Sequence, residues 1–79
     1  MMNDNHSLPH SIKQAVEQYF KDMRGEQPTN MYNMFLVEVE KPFLEMVMAH
    51  TAGNQTHAAQ MLGINRNTLR KKLQTYGLI

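Results

Sequence analysis

The sequence contains no cysteine, and none of its apolar runs exceeds four residues. Without cysteine there can be no disulfide framework and no thiolate metal site. A transmembrane helix needs about 20 consecutive apolar residues, so no membrane partner is expected. The first ten residues show neither the basic start nor the apolar stretch of a signal peptide. These absences predict a cytoplasmic protein.

The chain is also short, with 79 residues, of which 42% are hydrophobic and 19% are charged. This balance is that of a globular protein and argues against wholesale disorder. A domain of this size buries only about 60% of the surface of its unfolded chain, so it is marginally stable alone. Oligomerisation is a common remedy where disulfides and metals are missing.

Acidic residues are absent from the second part of the chain. Residues 1–45 contain seven acids and four bases, whereas residues 46–79 contain four bases and no acid, giving net charges of −3 and +4. Such an asymmetry predicts a polyanionic partner for the basic part. The alternative is a solvated basic helix face.

Apolar spacing predicts an all-α protein, with helices near residues 8–24, 31–51, 55–62 and 66–75 and no strand. Ser7 is the expected cap of the first helix, Pro9 suits its first turn, and Gly25 ends it. The second helix is apolar on too many sides for one stripe and should be covered by a second subunit. Pro42 is expected to kink this helix without ending it.

The last two predicted helices have the pattern of a helix-turn-helix. Small residues let the helices approach closely, a glycine makes the turn, and apolar residues fix the second helix: Ala58, Ala59, Gly63, Ile64, Leu69 and Leu73. A plain two-helix hairpin could show the same spacing.

The final helix is strongly basic. Arg66 and Arg70 are four residues apart, where like charges repel, and Lys71 and Lys72 add to the repulsion with no acid expected nearby. In a major groove these charges would meet phosphates and guanine edges. The pattern therefore favours double-stranded DNA as the partner.

Four further polar residues are placed at or near the starts of these two helices, where backbone N–H groups can bind phosphate: Asn54, Thr56, Asn65 and Thr68. Helix capping is the alternative role for the two asparagines, and the two roles can coexist.

Residues 53–77 (GNQTHAAQMLGINRNTLRKKLQTYG) resemble the C-terminal DNA-binding part of the bacterial factor for inversion stimulation, the Fis family. Residues 39–48 (VEKPFLEMVM) and 11–20 (SIKQAVEQYF) resemble its long kinked helix and its first helix. The resemblance covers roughly residues 8–79.

The resemblance implies an all-α, four-helix subunit with an intertwined homodimer core at residues 8–52 and a helix-turn-helix at residues 53–79, after a flexible segment at residues 1–7. It implies loosely specific binding and bending of nucleoid DNA, transcriptional control and, in some members, support of recombination. Arg66 matches the position that contacts a guanine near each edge of the site. The implied DNA contacts are Asn54, Thr56, Asn65, Arg66, Thr68, Arg70, Lys71 and Lys72.

The sequence departs from the family pattern at several positions. His57 stands where an arginine is common, and Gln74 and Thr75 replace lysines, so fewer phosphate contacts are expected. Asn67 replaces a glycine with little expected consequence. Seven residues before the first helix are too few for the β-arms of members that activate DNA invertases, so invertase activation is not expected.

Geometry supplies a mechanism for the implied dimer. Recognition helices in successive major grooves of straight DNA lie about 34 Å apart. The family's compact dimer places them closer, so the DNA must bend at a cost of about 1–6 kcal/mol, which depends on its sequence. Degenerate specificity with A/T preference at the centre is therefore expected.

Three other classes of function are weaker alternatives. An enzyme is not expected, because the four histidines are scattered and Glu38, Glu40 and Glu45 are interpreted as solvated charges; no cofactor, metal or small-molecule substrate is predicted. The DNA-binding tail of an enhancer-binding activator is disfavoured by the start at Met1 without an ATPase domain. A methionine-rich interaction module remains the third possibility.

Overall fold

The computed structural model describes residues 7–79, and in this range it contains four α-helices and no strand. The helices are α1 (Leu8–Met23), α2 (Met31–His50), α3 (Gln55–Leu62) and α4 (Arg66–Thr75). Each bound lies within one residue of its predicted position, so the all-α prediction is confirmed. No helix in the described range is long and apolar enough to span a bilayer. The same range holds no group of three or more potential metal ligands.

The chain separates into two compact units, one ending at Asn30 and one comprising Met31–Ile79. Within the first unit, the Ser7 hydroxyl accepts a hydrogen bond from the backbone N–H of His10 (3.2 Å), which confirms the predicted cap of α1. The helix ends at Met23, and its C-cap is Arg24, which has left-handed backbone angles and lies one residue before the predicted stop at Gly25. No residue of α1 is buried.

The predicted flexible segment at residues 1–7 lies outside the described residues except for Ser7. The predicted functional division between residues 8–52 and 53–79 stays a prediction.

The core of the second unit joins α2, α3 and α4. Leu69 and Leu73 of α4 are completely buried, as is Ala58 of α3. Ala59 of α3 and Leu44 of α2 complete the core. Partly buried apolar side chains surround it: Val47, Met48, Leu62, Ile64, Tyr76 and Leu78. Because each fully buried leucine contributes about 1.5–3 kcal/mol, this small cluster fixes the orientation of α4.

The turn between α3 and α4 has the geometry of a helix-turn-helix. Gly63 adopts a φ of 72°, a left-handed conformation that glycine reaches without strain. Its N–H donates to the carbonyl of Gln60 (3.2 Å), and the N–H of Ile64 donates to that of Ala59 (3.1 Å). This pair of bonds is a Schellman motif, and the partly buried Ile64 supplies its usual apolar contact.

One side of α2 carries a row of exposed apolar side chains. The row comprises Tyr32, Leu36, Val39, Phe43 and Met46, with exposed fractions between 38% and 80%. Their spacing alternates between four and three residues, which is the periodicity of a coiled-coil seam. We call this row the α2 seam. α2 continues through Pro42, and the kink expected there stays a prediction.

Candidate nucleic-acid interface

The interface begins at two capped helix starts. The side chain of Asn54 accepts a hydrogen bond from the N–H of His57 (3.0 Å), and that of Asn65 accepts from the N–H of Asn67 (2.7 Å). Both asparagines are exposed and have extended backbone angles, as N-cap residues do. The capping roles are therefore confirmed, while phosphate contact by these residues stays a prediction.

A side-chain hydrogen bond joins the first turns of α3 and α4. Nη1 of Arg66 donates to Oγ1 of Thr56 over 3.4 Å. Both residues are exposed, and the bond joins positions that are ten residues apart in the chain. The helix-turn-helix thus brings the partly positive starts of two helices and a guanidinium group to one surface.

The outer face of α4 extends this surface. Leu69 and Leu73 turn one side of the helix into the core, so the remaining side faces solvent. Exposed polar and basic side chains occupy it: Arg66, Thr68, Arg70 and Lys71. Residues 46–79 contain no Asp or Glu, so no acidic side chain of this region offsets these charges. The face is suited to a polyanion.

Lys72 behaves differently from the other bases of α4. Its Nζ donates to the two carboxylate oxygens of Glu40 over 3.1 Å and 3.3 Å. The expectation that no acid lies near Lys72 is wrong, and so is the interpretation of Glu40 as a solvated charge. Neither could be corrected from the sequence, because Lys72 and Glu40 are 32 positions apart and meet only when α4 packs beside α2. Contact of Lys72 with DNA stays a prediction.

Tyr76 joins Glu40 and Lys72 in one polar cluster, since its hydroxyl also donates a hydrogen bond to Glu40. The hydrogen bond from Tyr76, together with the bond and charge of Lys72, lowers the pKa of the Glu40 carboxyl against the opposing effect of burial. Conversely, the bond to Glu40, partial burial and the carboxylate charge raise the pKa of Tyr76. The cluster therefore favours an ionised Glu40 and a neutral Tyr76.

The helical spacing of the sequence indicates which sides of the helices carry Glu40, Lys72 and Tyr76. Glu40 precedes the buried Leu44 by one turn, which places both on the side of α2 that faces the core. Lys72 lies on α4, and Tyr76, its C-cap residue, follows one turn later. A comparison of Glu40 with Glu38 and Glu45 does not reveal these partners, because all three glutamates lie on α2.

Comparison with known proteins agrees with this geometry. A family model described as "Bacterial regulatory protein, Fis family" matches residues 35–76. The chain is 56% identical over 71 residues to the DNA-binding protein Fis of Glaesserella parasuis, covering 90% of this chain and 72% of that protein. It is 55% identical over 74 residues to DNA-binding protein Fis of Actinobacillus succinogenes, covering 94% of this chain and 75% of that protein.

A relative in Yersinia enterocolitica with the same name is 54% identical over 71 residues, again covering 90% of this chain and 72% of that protein. The family match spans more than half of the sequence and includes the complete helix-turn-helix and most of α2. The predicted resemblance is confirmed: the chain belongs to the Fis family of bacterial regulatory proteins.

Proposed function

We propose that this chain binds and bends double-stranded DNA as a homodimer and acts as a transcriptional regulator in the bacterial nucleoid. The observation that carries the proposal is the Arg66–Thr56 hydrogen bond, which unites two helix starts and the basic face of α4 on one exposed surface. The Fis relatives are named DNA-binding proteins, which supports the same conclusion. The proposal includes no catalytic role, no cofactor and no small-molecule substrate, and it places the protein in the cytoplasm.

In this proposal α4 enters the major groove. Arg66, in its first turn, contacts a base edge, because the first turn of a recognition helix reaches deepest into the groove. Arg70 and Lys71 contact phosphates or neighbouring bases. Around them, hydroxyl and amide groups at the starts of α3 and α4 contact the DNA backbone. These groups belong to Asn54, Thr56, Asn65 and Thr68.

The α2 seam supports the dimer. Tyr32 is 80% exposed and Met46 is 70% exposed, although both are large and apolar. The alternation of four and three residues continues over the length of the row, as in helices that pack side by side. A second copy of α2 would remove this row from water. Two such subunits present two α4 helices, and a separation shorter than about 34 Å would bend the DNA.

Binding is tested by titrating the protein against random and A/T-centred duplexes at several salt concentrations. The affinity should fall steeply with salt, and the first specific complex should contain two chains. The A/T-centred duplex should migrate as a bent molecule. Binding that is insensitive to salt, or a complex of one chain with straight DNA, would contradict the proposal.

Dimerisation is tested with a matched pair of variants in α2. Phe43→Gln removes an apolar side chain from the α2 seam, whereas Lys41→Gln changes an exposed residue on the opposite side, about 180° away at 100° per residue. Sedimentation should show a shift towards monomer for Phe43→Gln alone. If the wild-type protein were a stable monomer at micromolar concentration, the proposed dimer would be wrong.

A further inference from the structure

The side of α2 that faces α4 combines apolar and polar contacts. Leu44 is 3% exposed and belongs to the core, with Val47 packed partly against it. One turn before Leu44, Glu40 receives hydrogen bonds from Lys72 and Tyr76. We call Glu40, Lys72 and Tyr76 the Glu40 cluster. All three residues lie within the unit Met31–Ile79.

The Glu40 cluster joins α4 to the helix that carries the α2 seam. α4 packs mainly against α3, and α3 packs against α2. The Glu40 cluster adds a direct polar link from α2 to the second half of α4. In a dimer built on the α2 seam, the position of α4 relative to α2 sets the separation of the two recognition helices.

Lys72 is also set apart from the other bases of α4 by its charge environment. Its side chain is 38% exposed and its ammonium group is paired, whereas Lys71 is exposed and has no acidic partner among residues 7–79. A base already neutralised by a carboxylate releases few counterions when DNA binds, because DNA must first displace that carboxylate.

We propose that Glu40 is a positioning residue, which holds Lys72 and Tyr76 and so fixes the spacing of half-sites that the dimer accepts on DNA. Lys72 is then a positioning residue as well, in place of the DNA contact that the sequence predicts for it, and Lys71 supplies the phosphate contact of this part of α4. This inference rests on the proposed function. It adds residues that control DNA geometry without touching the bases.

The first experiment compares Lys71→Met with Lys72→Met, which remove the same charge at adjacent positions. Affinity for one duplex is measured from low to high salt. Each neutralised phosphate contributes about 0.9 to the slope of log affinity against log salt, so Lys71→Met should make a dimer's slope shallower by about 1.8. Lys72→Met should leave the slope unchanged within about 0.5.

The second experiment measures half-site spacing. Affinities are compared between a duplex with the preferred separation and duplexes with one or two base pairs inserted. In Lys72→Met and Glu40→Met this ratio should fall by up to about fivefold for each subunit, the upper effect of a partly exposed ion pair. The double variant should be no worse than Glu40→Met alone, since both changes remove the Lys72–Glu40 interaction.

Lys72→Arg serves as the rescue variant because a guanidinium group can still pair with Glu40; it should restore the spacing ratio. Circular dichroism of each variant checks that the helices remain formed. A slope for Lys72→Met as shallow as that of Lys71→Met, or an unchanged spacing ratio in Glu40→Met, would overturn the inference. Failure of the wild-type protein to bind DNA in a salt-dependent way would instead refute the proposed function.

Discussion

Replacement of Arg66 by alanine separates base recognition from folding and from phosphate binding. Arg66 is exposed, and its hydrogen bond to Thr56 is long, at 3.4 Å. Surface substitutions of this kind change the free energy of unfolding by about 0.5 kcal/mol or less. The variant should therefore fold and dimerise as the wild-type protein does, so that any change in DNA preference arises at the interface.

The size of the effect follows from the contact proposed for Arg66. A bidentate contact between arginine and guanine discriminates by about 1–3 kcal/mol, which is roughly a 5- to 160-fold preference for each half-site. Arg66→Ala should remove this preference from both ends of the site. Arg66→Lys should do the same, because it keeps the charge and loses the two parallel donors.

The assay is a competition between a duplex with guanines at the outer positions and a random duplex, at one fixed salt concentration. Replacing the outer guanines with 7-deazaguanine removes the N7 acceptor and should weaken wild-type binding while leaving Arg66→Ala unaffected. Lys71→Ala is the control, since a phosphate contact should weaken binding to both duplexes equally. An unchanged ratio of specific to random affinity in Arg66→Ala would refute the assignment.

The remaining predictions concern stability and are measured by thermal unfolding. The lowered pKa of Glu40 stabilises the fold above the unfolded glutamate pKa of about 4.3, and this is lost as pH falls through the folded value. The raised pKa of Tyr76 stabilises it below about pH 10, and this is lost as pH rises through the folded value. The difference in melting temperature between the wild-type protein and Glu40→Met should therefore become smaller at both low and high pH. A difference that does not change with pH would contradict this. Leu69→Ala should lower the free energy of unfolding by about 2–5 kcal/mol because Leu69 is completely buried. A change below about 1 kcal/mol would show that Leu69 does not belong to the core. Gly63→Ala should cost about 1–2 kcal/mol from backbone strain alone, since a Cβ there meets no atom within 4 Å; an unchanged melting temperature would argue against the left-handed turn.

The local structure followed directly from the sequence. Helical periodicity and the caps Ser7, Asn54 and Asn65 predicted every helix to within one residue. These features depend on neighbours within one or two turns, so the sequence contains their complete physical cause. The inward positions of Leu69 and Leu73 followed from the same periodicity, and the capped, basic character of the interface followed from composition.

Tertiary structure decided how separate elements share their charges. Glu40 and Lys72 are 32 positions apart, and Glu40 and Tyr76 are 36 apart, so their pairing depends on how α2 and α4 pack. The hydrogen bond between Arg66 and Thr56 likewise requires the turn at Gly63. The sequence by itself determined which residues are basic, apolar or capping, because these properties are local. The fold determined that Lys72 is held by a carboxylate while Lys71 remains open to DNA, because electrostatic interactions depend on distances in space and not on separation along the chain.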